Sequence, residues 1–351
     1  MNFTDNPIIK EDIDKIISSI DDWTYFSGKT ILVTGANGFI PSYIIYTLCG
    51  LNDILPKPMN IIALVRNKKK AENKFKSLLP HENFKLIISD VSDAELNENL
   101  DIIIHAASQA SPKYYGKDPV GTLKANTIGT YNMLEQAVQQ KAEKFLYISS
   151  GEVYGVLDGS IPIIKEEYTG NVNITDVRSC YAESKRMGEN MCVCFSHQYG
   201  LNTNMVRLSH TYGPGVSLDD GRVFADFAKC AVNNKNIILN SDGSAKRSFL
   251  YITDMIIAMF KILIDAPSSE AYNISAETQT SILELAKTIC EIYPEKGLEV
   301  EFKENTDENY IRSKSTSAEL CNEKLKQLGW KQTINISEGF KRMIDSYSYK
   351  N

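Results

Sequence analysis

No stretch of this sequence is apolar for long enough to span a membrane as a helix. The first 22 residues are acidic and polar and hold no hydrophobic signal core, so no membrane partner is expected. Basic charge is not in excess either: 38 Lys and Arg stand against 44 Asp and Glu, giving a net charge of -6. That balance argues against general binding to nucleic acid or to anionic lipid. The one basic run, Lys68-Lys69-Lys70, is short enough for a solvated loop. Histidine is scarce. His81, His105, His197 and His210 show no HExxH-like or paired spacing, and no metal site is expected. The seven cysteines are an odd number without framework spacing, which reads as reduced thiols in a cytoplasmic protein. Cys192 and Cys194 fall on opposite sides of a predicted helix. Internal repeats and low-complexity segments are absent.

What is present is enough to build a full core: 351 residues, 43% of them hydrophobic. Ile9, Ile13, Ile16, Ile17 and Ile20 recur at helical spacing, so residues 1–27 read as an N-terminal extension with a short amphipathic helix. Buried strands are expected at Lys29–Val33, Asn60–Arg66, Phe84–Val91, Ile102–Ser108, Phe145–Ile148 and Asn204–Leu208. Helices are expected between them, including one long helix from Pro119 to Lys141 with Asn126 inside it. Strands alternating with helices predict an α/β fold, a doubly wound parallel sheet of Rossmann type. After Gly213-Pro214-Gly215 the texture becomes irregular. Residues 28–213 therefore read as a dinucleotide-binding domain. Residues 214–351 read mainly as a smaller substrate-binding lobe with segments returning to the sheet.

Thr34-Gly35-Ala36-Asn37-Gly38-Phe39-Ile40-Pro41 lies between a strand and a helix. Glycines let backbone approach a pyrophosphate, and the helix N-terminus offers N–H groups and the positive end of its dipole. The plain alternative is an ordinary tight βα turn, but the correct flanking elements favour a dinucleotide. The second strand ends in Arg66 and Asn67, where an acidic residue would hold the 2′-hydroxyl of NAD. An arginine there suits the 2′-phosphate of NADP, so NAD and NADP both remain open. Asp90 is placed to meet the adenine.

Tyr181 and Lys185 sit four apart on a predicted helix, one turn from each other on one face. An ammonium beside a phenol favours the phenolate, so the Tyr181 pKa is expected to fall below its ordinary value of ~10. A phenol tuned downward can exchange a proton with a sugar or alcohol hydroxyl near neutral pH. Upstream, Ser149-Ser150-Gly151-Glu152 ends a strand and offers Ser150 as a second donor to the same oxygen. Taken alone, such a Tyr/Lys pair also occurs on solvated helices.

Together these residues resemble the extended short-chain dehydrogenase/reductase family, in the branch that modifies nucleotide-linked sugars. The likeness runs from about Lys29 to Tyr347 and rests on the glycine turn, His105-Ala106-Ala107, Ser149-Ser150 and the Tyr181/Lys185 pair. Within the branch the chain is most similar to the UDP-glucuronate decarboxylases. Ala110-Ser111-Pro112 with Tyr115, Lys124–Thr130, Arg178–Arg186, Asp220-Gly221-Arg222-Val223, Asp242–Phe249 and Leu328-Gly329-Trp330 carry that similarity.

The resemblance implies catalytic roles for Tyr181, Lys185, Ser150 and Glu152. It implies cofactor contacts from Gly35, Asn37, Gly38, Phe39, Ile40, Arg66, Asp90, Val91, Ala106, Ala107, Ser108 and Asn126, besides Tyr181 and Lys185. Contacts to a nucleoside-diphosphate sugar are implied for Tyr115, Glu152, His210, Arg222, Val223, Arg247 and Arg312. A homodimer through the helices near 120–140 and 181–199 is implied as well. The mechanism it implies is oxidation of the sugar at C4, loss of carbon dioxide from C5 and re-reduction, with a tightly held NAD(P).

Several positions depart from the decarboxylase pattern: Pro41 for a third glycine, Arg66 for an acid, Gly121 for a lysine, Ala182 for an aspartate and His210 for an asparagine. A 4,6-dehydratase would use an Asp-Glu pair where this chain has Gly151-Glu152. A 4- or 5-epimerase, an NADPH-dependent reductase of a nucleotide-linked keto sugar, and a non-catalytic nucleotide-binding scaffold are the other readings.

Overall fold

In the chain's structure, a computed structural model, residues 5–156, 161–303 and 318–349 are described. Five strands rich in Ile, Leu and Val open the sheet: β1 (Thr30–Thr34), β2 (Asn60–Val65), β3 (Phe84–Ile88), β4 (Ile102–His105) and β5 (Lys144–Ser150). Thr203–Leu208 and Glu270–Ile274 complete it. The seven strands run parallel in the order Glu270–Ile274, Thr203–Leu208, β5, β4, β1, β2, β3. The order reverses at β1, so the crevice beyond its C-terminal end is the switch point where such sheets bind ligands.

The strands are hydrophobic on both faces because helices cover both. Ile31 and Val33 of β1 enter one core cluster and Leu32 the other; Ile102 and Ile104 of β4 likewise oppose Ile103. On the first face lie α1 (Pro7–Ser18) and α2 (Phe39–Leu51). α3 (Lys68–Lys74) follows β2. On the second face lie α4 (Pro119–Asn126), α5 (Ile128–Gln139) and α6 (Cys180–Tyr199). α7 (Val223–Val232) and α8 (Ile252–Asp265) come next, and α8 is buried along nearly its whole length. No helix among the described residues is long and apolar enough to cross a membrane.

The single helix expected from Pro119 to Lys141 is two helices. The break falls at Thr127 (φ -108°, ψ -68°). The Thr127 hydroxyl donates back to the Leu123 carbonyl at 2.7 Å, a local bond that competes with regular helix. The break turns Asn126 inward, so that its Nδ2 reaches Ser184 Oγ of α6 at 2.9 Å.

Asn6 caps α1 by accepting from Ile8 and Ile9 N–H, and Pro7 follows at the first helical position. The helix is pinned to the body through Asp12, 1% exposed, which accepts from Tyr43 of α2, Tyr251 and Arg342. A seventh sheet strand, the helix break and this pin are the features that local sequence periodicity does not carry.

Candidate active site

β1 delivers the chain into the glycine turn and α2 carries it away. Gly35 adopts φ +64°, where a side chain would be strained, and a Cβ there would stand 2.7 Å from the Ala107 Cα. The turn therefore nests against the end of β4. Thr34 Oγ1 accepts from the N–H groups of Ala106 and Ala107, both at 3.1 Å, and its hydroxyl meets His105 Nδ1 at 2.9 Å. Burial holds the His105 imidazole neutral, with its pKa lowered to about 3. Phe39 and Ile40 begin α2 beyond Gly38, and Pro41 is accommodated in that first turn.

Around this crevice three buried acceptor or hydroxyl atoms have no hydrogen-bond partner among the described residues: Asn37 Oδ1, Ser108 Oγ and Asn126 Oδ1. Buried polar atoms are seldom left unmatched, so a polar ligand is the natural complement to this set. Together with the open glycine cradle they fit a dinucleotide. Beyond β3, Asp90 caps its own turn through Ser92 N–H at 3.0 Å, and Val91 is packed beneath α5 against Gly129. Arg66 is exposed and pairs with Asp90 at 3.5 Å.

The second group converges from β5 and α6. Ser150 ends β5, and its Oγ accepts from Glu152 N–H at 3.2 Å, which caps the short turn Gly151–Tyr154 and leaves Glu152 exposed. Tyr181, 6% exposed, hydrogen-bonds Ser150. The expected lowering of the Tyr181 pKa is not what this arrangement gives. Burial pushes the phenol up to about 12, against the opposing pull of the Ser150 hydrogen bond. Lys185 does lie one turn along α6, but its Nζ donates to the Ile148 carbonyl at 2.6 Å and sits 4.8 Å above the Tyr147 ring and 5.9 Å from the Tyr181 ring. Burial also brings the Lys185 ammonium down to about 7, with Glu189 acting in the other direction.

Tyr115 stacks on Tyr181, with ring centroids 5.0 Å apart and planes within 15°. Its hydroxyl donates to the Ala110 carbonyl at 2.9 Å. Arg222 stands at the N-cap of α7, with Val223 the first helical residue, and is paired bidentately with Asp220. Its charge, like that of Arg178, opposes the upward shift of Tyr115, which burial and Tyr181 drive. Arg247 lies on the short strand Lys246–Arg247, and its charge and that of Glu152 act on each other. His210 packs edge-on against Phe249 at 5.8 Å, and burial lowers its pKa to about 3. Arg312 lies outside the described residues.

Two side chains that the sequence reading passed over organise this site. Glu189, one turn beyond Lys185, accepts from Ser149 Oγ at 2.5 Å and from Arg207 Nη2 at 2.7 Å. Arg207 in turn reaches the Tyr154 hydroxyl at 2.8 Å and the Glu166 carbonyl at 2.7 Å. This network ties α6 to the end of β5, so it fixes where Tyr181 stands relative to Ser150. The spacing Tyr181, Lys185, Glu189 on one helix face was the available signal.

Comparison with known proteins follows the same lines. The model of a family described as the NAD dependent epimerase/dehydratase family matches residues 31–275. UDP-glucuronic acid decarboxylase 5 of Arabidopsis thaliana is 32% identical over 323 residues, covering 92% of this chain and 90% of that protein. UDP-glucuronic acid decarboxylase 3 of the same plant is 33% identical over 319 residues, covering 90% and 88%. Among solved structures, UDP-glucuronic acid 4-epimerase from Bacillus cereus, in complex with UDP-glucuronic acid and NAD, superposes with a TM-score of 0.76 at 23% identity. It covers 91% of this chain and 99% of the other.

Proposed function

The chain belongs to the NAD dependent epimerase/dehydratase family, and from that premise we propose that it is a nucleotide-sugar decarboxylase acting on UDP-glucuronate. The carrying observation is one site that holds Ser150, Glu152 and Tyr181 beside Arg222 and Arg247, in a chain similar to UDP-glucuronic acid decarboxylases over nine-tenths of its length. Bound NAD would supply the acceptor for the C4 hydride and give it back at the end. Gly35, Gly38, Asn37, Ser108 and Asn126 would hold it.

Each remaining step falls to side chains of the chain. Tyr181 takes the O4 proton as C4 becomes a carbonyl, and Ser150 hydrogen-bonds that oxygen. The C5 carboxylate is then β to a ketone, so the C5–C6 bond can break with release of carbon dioxide. The electron pair moves toward O4, where the Ser150 and Tyr181 hydrogen bonds stabilise it. Glu152, exposed at the rim, relays a proton from solvent to C5 as the electron pair returns from O4 and the C4 ketone re-forms. Tyr181 returns its proton to O4 when C4 is reduced again. The net result is a UDP-pentose and carbon dioxide, with no net change in cofactor. Arg222 and Arg247 suit the diphosphate, since planar guanidinium groups bind phosphate oxygens in pairs. Asp220 pairs with Arg222, so a diphosphate shares that guanidinium with the carboxylate or displaces it.

NAD is favoured over NADP because Asp90 already engages the Arg66 guanidinium at 3.5 Å, the charge that a 2′-phosphate would need. The test is to denature purified protein, identify the dinucleotide released, and follow UDP-glucuronate by NMR with no added reductant. About one NAD per subunit and a UDP-pentose formed with carbon dioxide are expected. A C4 epimer without carbon dioxide would make the chain an epimerase. An empty protein that turns over only with NADPH would make it a reductase.

A homodimer is proposed as well. Val120 (72% exposed), Leu123, Ile128, Tyr131, Met187 and Val193 leave apolar surface on the neighbouring helices α4, α5 and α6. Large apolar side chains exposed on three packed helices are what a second copy of the chain would cover. Sedimentation should give a dimer at micromolar concentration, and Tyr131→Glu should shift it toward monomer. A wild-type monomer in that range would reject the proposal.

A further inference from the structure

The glycine turn is held from its inner side by a lysine that the reading of the cofactor site leaves out. Lys74 ends α3, and its carbonyl accepts from the Tyr46 hydroxyl of α2 at 2.5 Å. From this fixed point the side chain passes beneath the turn. Its Nζ donates to the Asn37 carbonyl at 3.1 Å and to Ser42 Oγ at 3.2 Å, and lies 3.4 Å from the Gly38 carbonyl. An ammonium has three N–H donors to offer, and it meets three acceptors from one turn.

The position of those acceptors matters. Gly38 N–H is spent on the Gly35 carbonyl at 2.8 Å, and Pro41 has no N–H. The first turn of α2 thus presents fewer backbone donors to an anion than a helix start normally does. Asn37, whose Oδ1 is the orphaned acceptor in the crevice, is anchored by its own Nδ2 to the Asn67 carbonyl at 3.0 Å and by its carbonyl to Lys74.

We propose that Lys74 is a positioning residue for the dinucleotide: its ammonium locks Asn37, Gly38 and Ser42 into the binding conformation of the turn and places a positive charge directly behind the pyrophosphate. The inference rests on the cofactor reading above and adds a residue to it. Loss of the charge, by substitution or by deprotonation, loosens the turn and weakens its grip on an anion.

The second route is accessible in ordinary buffers. Burial brings the Lys74 ammonium down to about 7, and the neighbouring charge of Lys70 acts in the same direction. The titratable groups around it are Lys70 on its own helix, Tyr46 and Cys49 on α2, and Asp5 ahead of α1. Burial pushes the Tyr46 phenol up and the Cys49 thiol up to about 12, so both stay neutral across the range in which Lys74 titrates. The protonated lysine is the binding form, so retention of dinucleotide falls as pH rises through neutrality.

The experiment measures NAD affinity of the full-length protein by calorimetry at about pH 6 and about pH 9, for wild type, Lys74→Met and Lys74→Arg, with thermal midpoints of the NAD-free forms alongside. Lys74→Met should weaken binding at the lower pH by about tenfold to a hundredfold, the scale of hydrogen bonds to a charged group. Its affinity should also depend less on pH than that of wild type, any remaining dependence belonging to Lys185. Lys74→Arg, charged at every pH, should restore the affinity and flatten the profile. A merely structural lysine would move the thermal midpoint without moving the pH profile. Wild-type affinity in Lys74→Met, or a flat wild-type profile, overturns the inference and leaves the cofactor reading intact. Where Lys74→Met does not fold, Lys74→Arg decides: a pH profile as steep as that of wild type assigns the titration to Lys185 and overturns the inference. A wild type that binds no dinucleotide at either pH overturns the cofactor reading itself.

Discussion

Tyr181→Phe is expected to lower turnover of UDP-glucuronate by roughly 10²–10⁴-fold, the range for removal of a positioned acid–base group. The ring stays, so the stacking on Tyr115 at 5.0 Å and the fill of the buried site are kept. Only the hydroxyl goes, and with it the group that takes the O4 proton. NAD content of the purified variant should match wild type, because the glycine turn and the orphaned acceptors at Asn37, Ser108 and Asn126 are untouched. The pH dependence is a second readout. With its pKa pushed up to about 12, the phenol is protonated at neutral pH. The active base is the phenolate, so kcat/KM at saturating NAD should rise with pH in wild type, and that rising limb should vanish in the variant. Full activity in Tyr181→Phe would remove the proposed chemistry altogether. A variant that loses activity and NAD together would point to a role in holding the cofactor.

How much of this was readable beforehand divides along sequence distance. β1, the glycine turn and α2 lie within 22 residues, and their order alone implied a dinucleotide-binding turn. Tyr181 and Lys185 share one helix face by spacing, and Ser150 ends its strand as its neighbours suggested. What spacing could not give was where the Lys185 ammonium would go. The Ile148 carbonyl claims it, and burial then governs the Tyr181 phenol. The split at Thr127 was hidden because Leu123, Ile128 and Met133 keep an apolar pattern across it, and only the backbone angles at Thr127, with its side-chain bond to Leu123, mark the break. Glu189 with Arg207, Asp220 with Arg222, and Lys74 beneath the turn are tertiary pairings. A single sequence shows the charges but not which of them meet.

A pairing of much longer range leads to the largest stability effect. Asp12 and Arg342 are 330 residues apart, yet Arg342 donates to Asp12 Oδ1 through Nε at 3.1 Å and Nη2 at 2.7 Å. The other carboxylate oxygen accepts from Tyr43 at 3.1 Å and Tyr251 at 2.8 Å. This joins α1 and the C-terminal helix Ile336–Asp345 to α2, the helix that starts at the cofactor turn. Arg342→Met is expected to cost about 3–5 kcal/mol, because it leaves a buried carboxylate without its counter-charge. Burial already raises the Asp12 pKa above its ordinary 3.8, with Arg342 and the two phenols pulling it down. Without the arginine it rises further. An acid whose folded pKa lies above its unfolded value favours the native state below the unfolded value, and that advantage is lost as pH climbs through the folded value. The gap in thermal midpoint between Arg342→Met and wild type should therefore be small near ~pH 4 and widen toward neutrality. Adding Asp12→Asn should recover part of the loss, since the amide oxygen still accepts from Tyr43 and Tyr251 while the unpaired charge is gone. A gap that stays constant with pH, or a double variant no more stable than Arg342→Met, would assign the loss to packing of the arginine stem, and the buried ion pair would then not be what fastens α1 to the cofactor helix.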